Sequence, residues 1–432
     1  MRDVGGTARR LHALLTRILG EFPLRVRTWD GSEAGPPDAP VIVIKHRRAL
    51  RRLLWRPGEL GLGRAYVAGE LEVDGDLFVA LETVIASLPV GGGPNVKLSR
   101  TDKRDLLRAA VRLGAIGPEP EPPPEEAHLS GDVHSKHRDA AAIRHHYDVG
   151  NDFYRLVLGP SMVYSCAHWA RPDDPAYILD DAQRDKCDLV ARKLGLRPGM
   201  RLLDVGCGWG GMVLHAAQHY GVQALGITLS EDQADYARKR ILEAGLEDRA
   251  DVEVRDYRDV TGGPYDAISS IGMAEHVGSE RYAEYAADLY HLLRPGGRLL
   301  NHQIARRPAG STTSYSKFIR NYVFPDGELL PVGQTIELLE EAGFEVRDVE
   351  SLREHYGRTL RQWVANIEGQ WDACAELTSP GRVRTWQLYM AGSALSFEAG
   401  RIGINQTLAV RPHPNGRSDM PMTRVTWLNV DS

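Results

Sequence analysis

Leu202-Leu203-Asp204-Val205-Gly206-Cys207-Gly208-Trp209-Gly210-Gly211 is the stretch that decides how the chain is read. It starts as an apolar run, meets one acidic residue and then places glycine at every second position. Behind it, Met212 to Tyr220 reads as a helix, with Met212, Leu214, Ala216 and Ala217 available to pack inward. A strand, a glycine turn and a helix in that order let a ligand lie against bare backbone and a helix N-terminus.

The spacing is Asp-x-Gly-x-Gly-x-Gly, not the Gly-x-Gly-x-x-Gly of dinucleotide-binding folds. A carboxylate at Asp204 would repel a pyrophosphate and suits a cationic group. A turn that binds nothing has no use for so many glycines. The pattern resembles the first motif of class I S-adenosylmethionine-dependent methyltransferases, in which the cationic group would be the amino-acid end of the cofactor.

Downstream the alternation is regular. Ala224–Thr228 reads as a second strand, followed by a helix over Glu231–Ala244 with Ser230 as its N-cap. Val252–Val254 and Tyr265–Ser270 are the next strands, then a helix over Tyr282–Leu293 stopped by Arg294-Pro295-Gly296-Gly297, and a fifth strand over Arg298–His302. Repeated β-α units of this size predict a parallel, doubly wound sheet whose ligands collect at the C-terminal strand ends. Asp204, Thr228, Asp256, Glu275 and His302 all fall at such ends. The place after the second strand, where many nucleoside-binding folds put an acid, holds Thr228-Leu229-Ser230 with Gln233 one turn on, so hydroxyl and amide groups would have to grip the ribose.

At 432 residues, the chain is expected to form two or three compact units. Hydrophobic content of 42% and charged content of 26% belong to a soluble globular class, and no apolar run is long enough to span a bilayer. The N-terminus lacks a secretory pattern. Cys166, Cys187, Cys207 and Cys374 form neither a metal-type spacing nor a disulfide framework, so no metal and a reducing cytoplasm are expected. A net charge of −5 argues against general nucleic-acid binding.

The first hundred residues differ in charge. Leu11, Leu14, Leu15, Ile18 and Leu19 recur at helical spacing with arginines between them. Lys45–Arg56 is strongly basic, with Leu50, Leu53 and Leu54 predicted on one helical face. Two readings of this helix stand together: leucines docked on a small mixed α/β core, and arginines offered to anionic phospholipid. Val41–Lys45 and Leu71–Val73 read as short strands. Residues 117–126, Gly-Pro-Glu-Pro-Glu-Pro-Pro-Pro-Glu-Glu, cannot build helix or central strand and are expected to be an extended tether. The expected division is therefore an N-terminal membrane-associating domain over 1–116, a linker over 117–135 and a catalytic domain over 136–432.

The chain as a whole resembles the cyclopropane-fatty-acyl-phospholipid synthase family, which includes the mycolic acid cyclopropane synthases. The resemblance rests on His146-Tyr147-Asp148-Val149-Gly150-Asn151-Asp152-Phe153-Tyr154, Tyr164-Ser165-Cys166-Ala167 and the glycine loop. It continues through Thr228-Leu229-Ser230, Glu275-His276-Val277-Gly278 and His302-Gln303-Ile304. Tyr322–Gly327 and His355–Leu360 complete the ordered set, and the Gly69-Glu70 region resembles the extra domain of the phospholipid-acting members.

The resemblance implies a class I methyltransferase sheet with a helical lid plus a smaller mixed α/β domain. It implies that Tyr164, Ser165, Gly206, Gly208, Thr228, Leu229 and Gln233 bind S-adenosylmethionine, with Asp256 and Tyr257 at the adenine. Cys166, Glu275, His302, Ile304 and Tyr356 would hold a bicarbonate ion beside the transferred methyl. Residues 306–330 and 356–400 would supply the lid and an acyl channel, with Tyr315, Phe318, Ile319, Tyr322, Trp363, Trp371, Trp386, Leu388, Tyr389 and Phe397 as candidate lining.

The implied reaction is attack of a cis double bond of an unsaturated phospholipid chain on the sulfonium methyl, then loss of a proton to bicarbonate. Closure gives a cyclopropane, and another fate of the same cation gives a 10-methylene branch that a separate reductase would convert to a methyl branch. Ala274 stands where the family carries an aromatic, which leaves the product open. A small-molecule methyltransferase and a non-catalytic lipid adaptor are the more distant readings. The expected partners are the phospholipid, an anionic membrane surface at the inner face of the membrane and a second copy of the chain, with no nucleic acid.

Overall fold

The computed structural model describes residues 6–19, 22–87, 104, 108, 110–127, 138, 149–308 and 316–425. The chain divides into two compact units. One joins Met1–His128, Gly310–Val323 and Trp371–Leu395, and the other joins Leu129–Ala309, Phe324–Gln370 and Ser396–Ser432. Packing therefore divides the chain on different lines from composition, since two stretches beyond residue 300 fold with the N-terminal residues.

In the first unit, β1 (Arg25–Thr28), β2 (Glu33–Ala34), β3 (Val41–Ile44) and β4 (Leu71–Asp74) form a sheet in the order β2-β1-β3-β4. Val-Ile-Val-Ile in β3 suits a central strand, because β-branched side chains pack well on a pleated surface. Helices Thr7–Leu19, Arg47–Trp55, Glu59–Val67 and Leu77–Ser87 accompany it.

The basic helix does not turn its leucines inward as a set. Ala49, Leu50 and Arg52 are buried, while Leu54 is 46% and Trp55 51% exposed. Arg52 goes inside because its guanidinium is satisfied there. Nε and Nη2 donate to the two oxygens of Glu70 at 2.9 and 3.2 Å, and Nη1 to the carbonyl of Glu121 at 2.7 Å. Arg48 also pairs with Glu70 and Arg56 with Glu119, so much of this helix's charge is matched within the unit.

The Pro/Glu-rich segment has neither helix nor strand over residues 117–126, as its prolines require. It is fastened, not free. Arg64 forks onto the buried Glu126 at 2.8 and 2.7 Å and also reaches Glu119 at 3.2 Å. Trp55 Nε1 donates to the Gly117 carbonyl, and the Asn321 amide donates to Glu126.

The second unit is built on seven strands: β5 (Arg201–Val205), β6 (Gln223–Thr228), β7 (Ala250–Val254), β8 (Tyr265–Ile271), β9 (Leu293–Arg306), β10 (Glu345–Ser351) and β11 (Ile402–Val410). Their order is β10-β11-β9-β8-β5-β6-β7. The neighbours from β7 to β9 run parallel, whereas β11 lies antiparallel between β9 and β10. Helices Leu179–Leu194, Gly211–Tyr220 and Glu231–Glu243 cover one face, through Val190, Leu194, Val213, Ala217, Ala237 and Ile241. Tyr282, Tyr285 and Leu289 of helix Tyr282–Leu292, with Leu339 and Phe344, cover the other. Each large apolar side chain so buried contributes about 1.5–3 kcal/mol. This is the class I methyltransferase arrangement, a doubly wound sheet closed by an antiparallel pair.

Ala274 is 5% exposed and packs into the second cluster with Val277 and Tyr282. Among the described residues, no helix is long and apolar enough to cross a membrane.

Candidate active site

At the end of β5 the chain enters the glycine loop. Gly206, Gly208 and Gly210 have φ of 76°, 54° and 76°, left-handed values at which side chains are strained. The N–H groups of Gly206 and Cys207 donate to the Ile227 carbonyl at 3.0 and 2.9 Å, which pins the loop to β6. A Cβ on Gly210 would stand 2.9 Å from that of Ala237, whereas one on Gly208 would meet nothing within 4 Å. Gly208 therefore faces room for a ligand, and Gly210 faces a packed helix.

Trp209 ties this loop to an upstream motif. Its Nε1 donates to Asn151 at 2.7 Å and its ring lies 4.6 Å from that of Tyr154. His146, Tyr147 and Asp148 of that motif, and the lining candidate Tyr315, lie outside the described residues.

Asp204 is 3% exposed and accepts a 2.6 Å hydrogen bond from Ser269 Oγ. Burial raises its pKa to about 6. At the end of β6, Thr228 Oγ1 donates to Gln233 Oε1 at 2.7 Å, so the Gln233 carbonyl is engaged within the protein. Leu229 is half-buried between Thr228 and the cap residue Ser230, whose Oγ accepts from the Gln233 N–H. After β7, the Asp256 carboxylate accepts from the backbone N–H, Nε and Nη2 of Arg258. Tyr257 is buried with its ring edge-on to Tyr285 at 5.3 Å.

A second group of residues converges by hydrogen bonds and strand register. Met162, buried with φ of 53°, precedes Tyr164, Ser165 and Cys166. Gln183 Nε2 donates to the carbonyls of Val163 and Ser165, and the buried Lys186 donates to Ser165 Oγ at 3.1 Å. Cys166 Sγ lies 3.6 Å from the Leu352 carbonyl, which also accepts the Tyr356 N–H at 3.1 Å. The Leu352 N–H donates to Ile404 of β11, and Ile404 is in register with Ile304 of β9. The Ile304 N–H donates to Glu275 Oε1 at 2.7 Å.

Side chains alternate along a strand, so His302 and Ile304 share a face of β9 while Asn301 and Gln303 point the other way. Those two enter a polar network in which Gln303 bonds Tyr282, Asn301 and Thr335. Cys166, Glu275, His302, Ile304 and Tyr356 are thus brought together. Tyr164 and Tyr356 meet the buried Trp363, at 5.3 and 6.1 Å between ring centroids, and Phe397 lies 4.7 Å from Tyr356. The two halves of the site also touch, since a Cβ on Gly206 would stand 3.2 Å from that of Met273, two residues before Glu275.

The electrostatics are those of a dry site. Burial raises the Glu275 pKa to about 7 and holds that of His302 well below its ordinary value. Glu275 Oε2 and His302 Nε2 are both buried without a hydrogen-bond partner among the described residues. The Cys166 thiol is pushed far up by burial and is held as S–H.

A sequence model of the family described as mycolic acid cyclopropane synthetase matches residues 134–407. The chain belongs to that family. A probable fatty acid methyltransferase of Mycobacterium tuberculosis is 42% identical over 421 residues, covering 94% of this chain and 95% of its own. The tuberculostearic acid methyltransferase of the same organism is 32% identical over 412 residues, covering 93% and 91%. The cyclopropane-fatty-acyl-phospholipid synthase of Escherichia coli is 32% identical over 376 residues, covering 87% and 89%. Among solved structures, the mycolic acid cyclopropane synthase CmaA1 complexed with SAH and CTAB superposes with a TM-score of 0.59 at 35% identity, over 62% of this chain and 97% of that one.

As a member of this family the chain is an S-adenosylmethionine-dependent methyltransferase, and its loop fits that cofactor. Gly208 opens onto free space at the C-terminal end of the parallel sheet, beside Thr228 and the capped Gln233 helix. A bicarbonate ion fits the second group of residues. Glu275 Oε2 and His302 Nε2, both buried and unmatched among the described residues, would each donate when protonated, which suits an anion rich in acceptors.

Residues outside the sequence reading support the site from behind. Ser269 meets Asp204, Lys186 and Gln183 hold the 163–165 segment, and Gln406 Nε2 lies 3.1 Å from His302 Nδ1. The only local signal for any of them was the position of Ser269 near the end of a predicted strand.

Proposed function

We propose that this methyltransferase transfers the sulfonium methyl of S-adenosylmethionine to a cis double bond of an unsaturated phospholipid chain and closes a cyclopropane. The observation that carries the reading is the pair of unmatched buried groups, Glu275 Oε2 and His302 Nε2, beside the glycine loop. S-adenosylmethionine supplies an electrophilic methyl, and bicarbonate supplies a base. An isolated alkene is a weak nucleophile, so the residues must orient it and exclude water. Glu275 and His302 hold the anion by donation, Ile304 fixes the carboxyl rotamer through its N–H, and Tyr356 closes the place with Trp363 and Phe397. The substrate cation then loses one proton from its new methyl as the ring closes.

A methylene-branched product is the second reading, favoured by 42% identity to a probable fatty acid methyltransferase. After a hydride shift, the substrate cation would lose its proton from the same methyl carbon, leaving a C=CH2 branch for a separate reductase. Peripheral attachment at the cytoplasmic face of the membrane belongs to both readings. Its support is the exposed Leu54 and Trp55 at the end of the basic helix.

Labelled methyl transfer to phospholipid vesicles tests the proposal. Label is expected in oleoyl vesicles and not in fully saturated ones. Transfer only to soluble amines or phenols would overturn it.

A further inference from the structure

We infer that Gln406 is a positioning residue for His302: it fixes which imidazole nitrogen carries the proton, and Lys193 fixes which way the Gln406 amide faces. The inference rests on the reading of His302 as a donor to an anion. Gln406 stands opposite His302 in the β9–β11 register, and its Nε2 lies 3.1 Å from His302 Nδ1. Alone, that contact leaves the tautomer open, because an amide can rotate to present either end.

Lys193 removes the ambiguity. Its Nζ lies 2.8 Å from Gln406 Oε1 and 2.5 Å from Glu350 Oε2, with Asp348 at 3.6 Å. An ammonium only donates, so the oxygen of Gln406 must face it and the NH2 must face the imidazole. The NH2 likewise only donates, so His302 Nδ1 is the acceptor and the proton resides on Nε2. That nitrogen is the one buried without a partner among the described residues. Turning the amide over would place NH2 against the ammonium and abolish both hydrogen bonds inside a site where Lys193 and Gln406 are fully buried. Glu350–Lys193–Gln406–His302 is therefore a directed relay from the end of helix Leu179–Leu194 to the reacting face of β9.

Gln406→Glu is the discriminating variant, because it keeps shape and the Lys193 contact while replacing a donor by an acceptor. In the full-length chain carrying 15N-labelled histidine, the His302 ring resonances are identified by their loss in His302→Asn. The parent is expected to show a protonated Nε2 and a bare Nδ1. Gln406→Glu is expected to move a proton onto Nδ1 and to lower turnover at least tenfold, with S-adenosylmethionine affinity unchanged. Lys193→Met is expected to give a mixture of the two tautomers. A parent protonated at Nδ1, or a Gln406→Glu spectrum identical to the parent's, would overturn the inference. A moved proton with unchanged turnover would uphold the role of Gln406 and overturn the reading of His302 as a donor.

Discussion

The backbone N–H of Ile304 donates to Glu275 Oε1 at 2.7 Å, and the other carboxyl oxygen of Glu275 is buried with no partner among the described residues. One oxygen is thus used to aim the other. The residue sits on a short 3-10 turn, Ala274–His276, directly after β8, where a carboxyl would ordinarily reach solvent. Here it is desolvated, and burial pushes its pKa up to about 7.

Turnover should therefore fall as pH rises through about 7, the pKa to which burial pushes Glu275. Glu275→Ala, which removes the donor, should cost roughly tenfold to 100-fold in kcat, the worth of about 1.5–3 kcal/mol for a hydrogen bond to a charged group, and its residual rate should lack that limb. Cofactor affinity by calorimetry should be nearly unchanged. Full activity in this variant would remove Glu275 from its role.

The same shift makes a stability prediction. The raised pKa means that the folded chain holds a proton that the unfolded chain releases. The contribution is full below the ordinary 4.5 and is lost as pH rises to about 7. Its size is on the order of 3 kcal/mol. Urea midpoints of the parent should therefore decline over that interval relative to those of Glu275→Gln.

Cys166 is expected to act through its place in the chain and not as a thiolate. Its Sγ already lies near the carbonyls of Ala167 and Leu352, which a serine hydroxyl can also reach. Cys166→Ser should thus keep those contacts and cost less than about tenfold in rate. Iodoacetamide should alkylate the native parent far more slowly than the unfolded chain.

Two glycines of the loop should fail differently. Gly210→Ala adds a strained φ and a 2.9 Å approach to Ala237, so it should lower stability by more than the ~1–2 kcal/mol of backbone strain alone. Gly208→Ala carries a similar φ strain but meets no protein atom within 4 Å, so beyond that strain its effect should be weaker S-adenosylmethionine binding. Denaturation and binding isotherms of the two variants separate these effects.

The parallel part of the sheet was legible because each unit announces itself locally, by an apolar run, a turn and a capped helix. β10 was not. Glu345, Arg347, Asp348 and Glu350 give it no apolar alternation, and it is held by pairing with β11. Ser230 was readable as a cap from its neighbours, whereas the burial of Arg52 depends on Glu70 and on a carbonyl of the Pro/Glu-rich segment, neither of them local. Within the site, the family pattern named the residues that face the ligands. The partners that orient them, such as Gln406 behind His302, come from distant strands and leave no local signature. Asp256 shows the converse, since a carboxylate expected at the adenine is bonded to Arg258, two residues away.

The central claim concerns the fate of the double bond, and the proton spectrum of the product lipid tests it most directly. The full-length chain, S-adenosylmethionine, bicarbonate and oleoyl phospholipid vesicles would be incubated together and the lipid extracted. Upfield cyclopropane methylene protons appearing as the olefinic protons disappear is the predicted result. Vinylidene protons, or an untouched double bond, would contradict it.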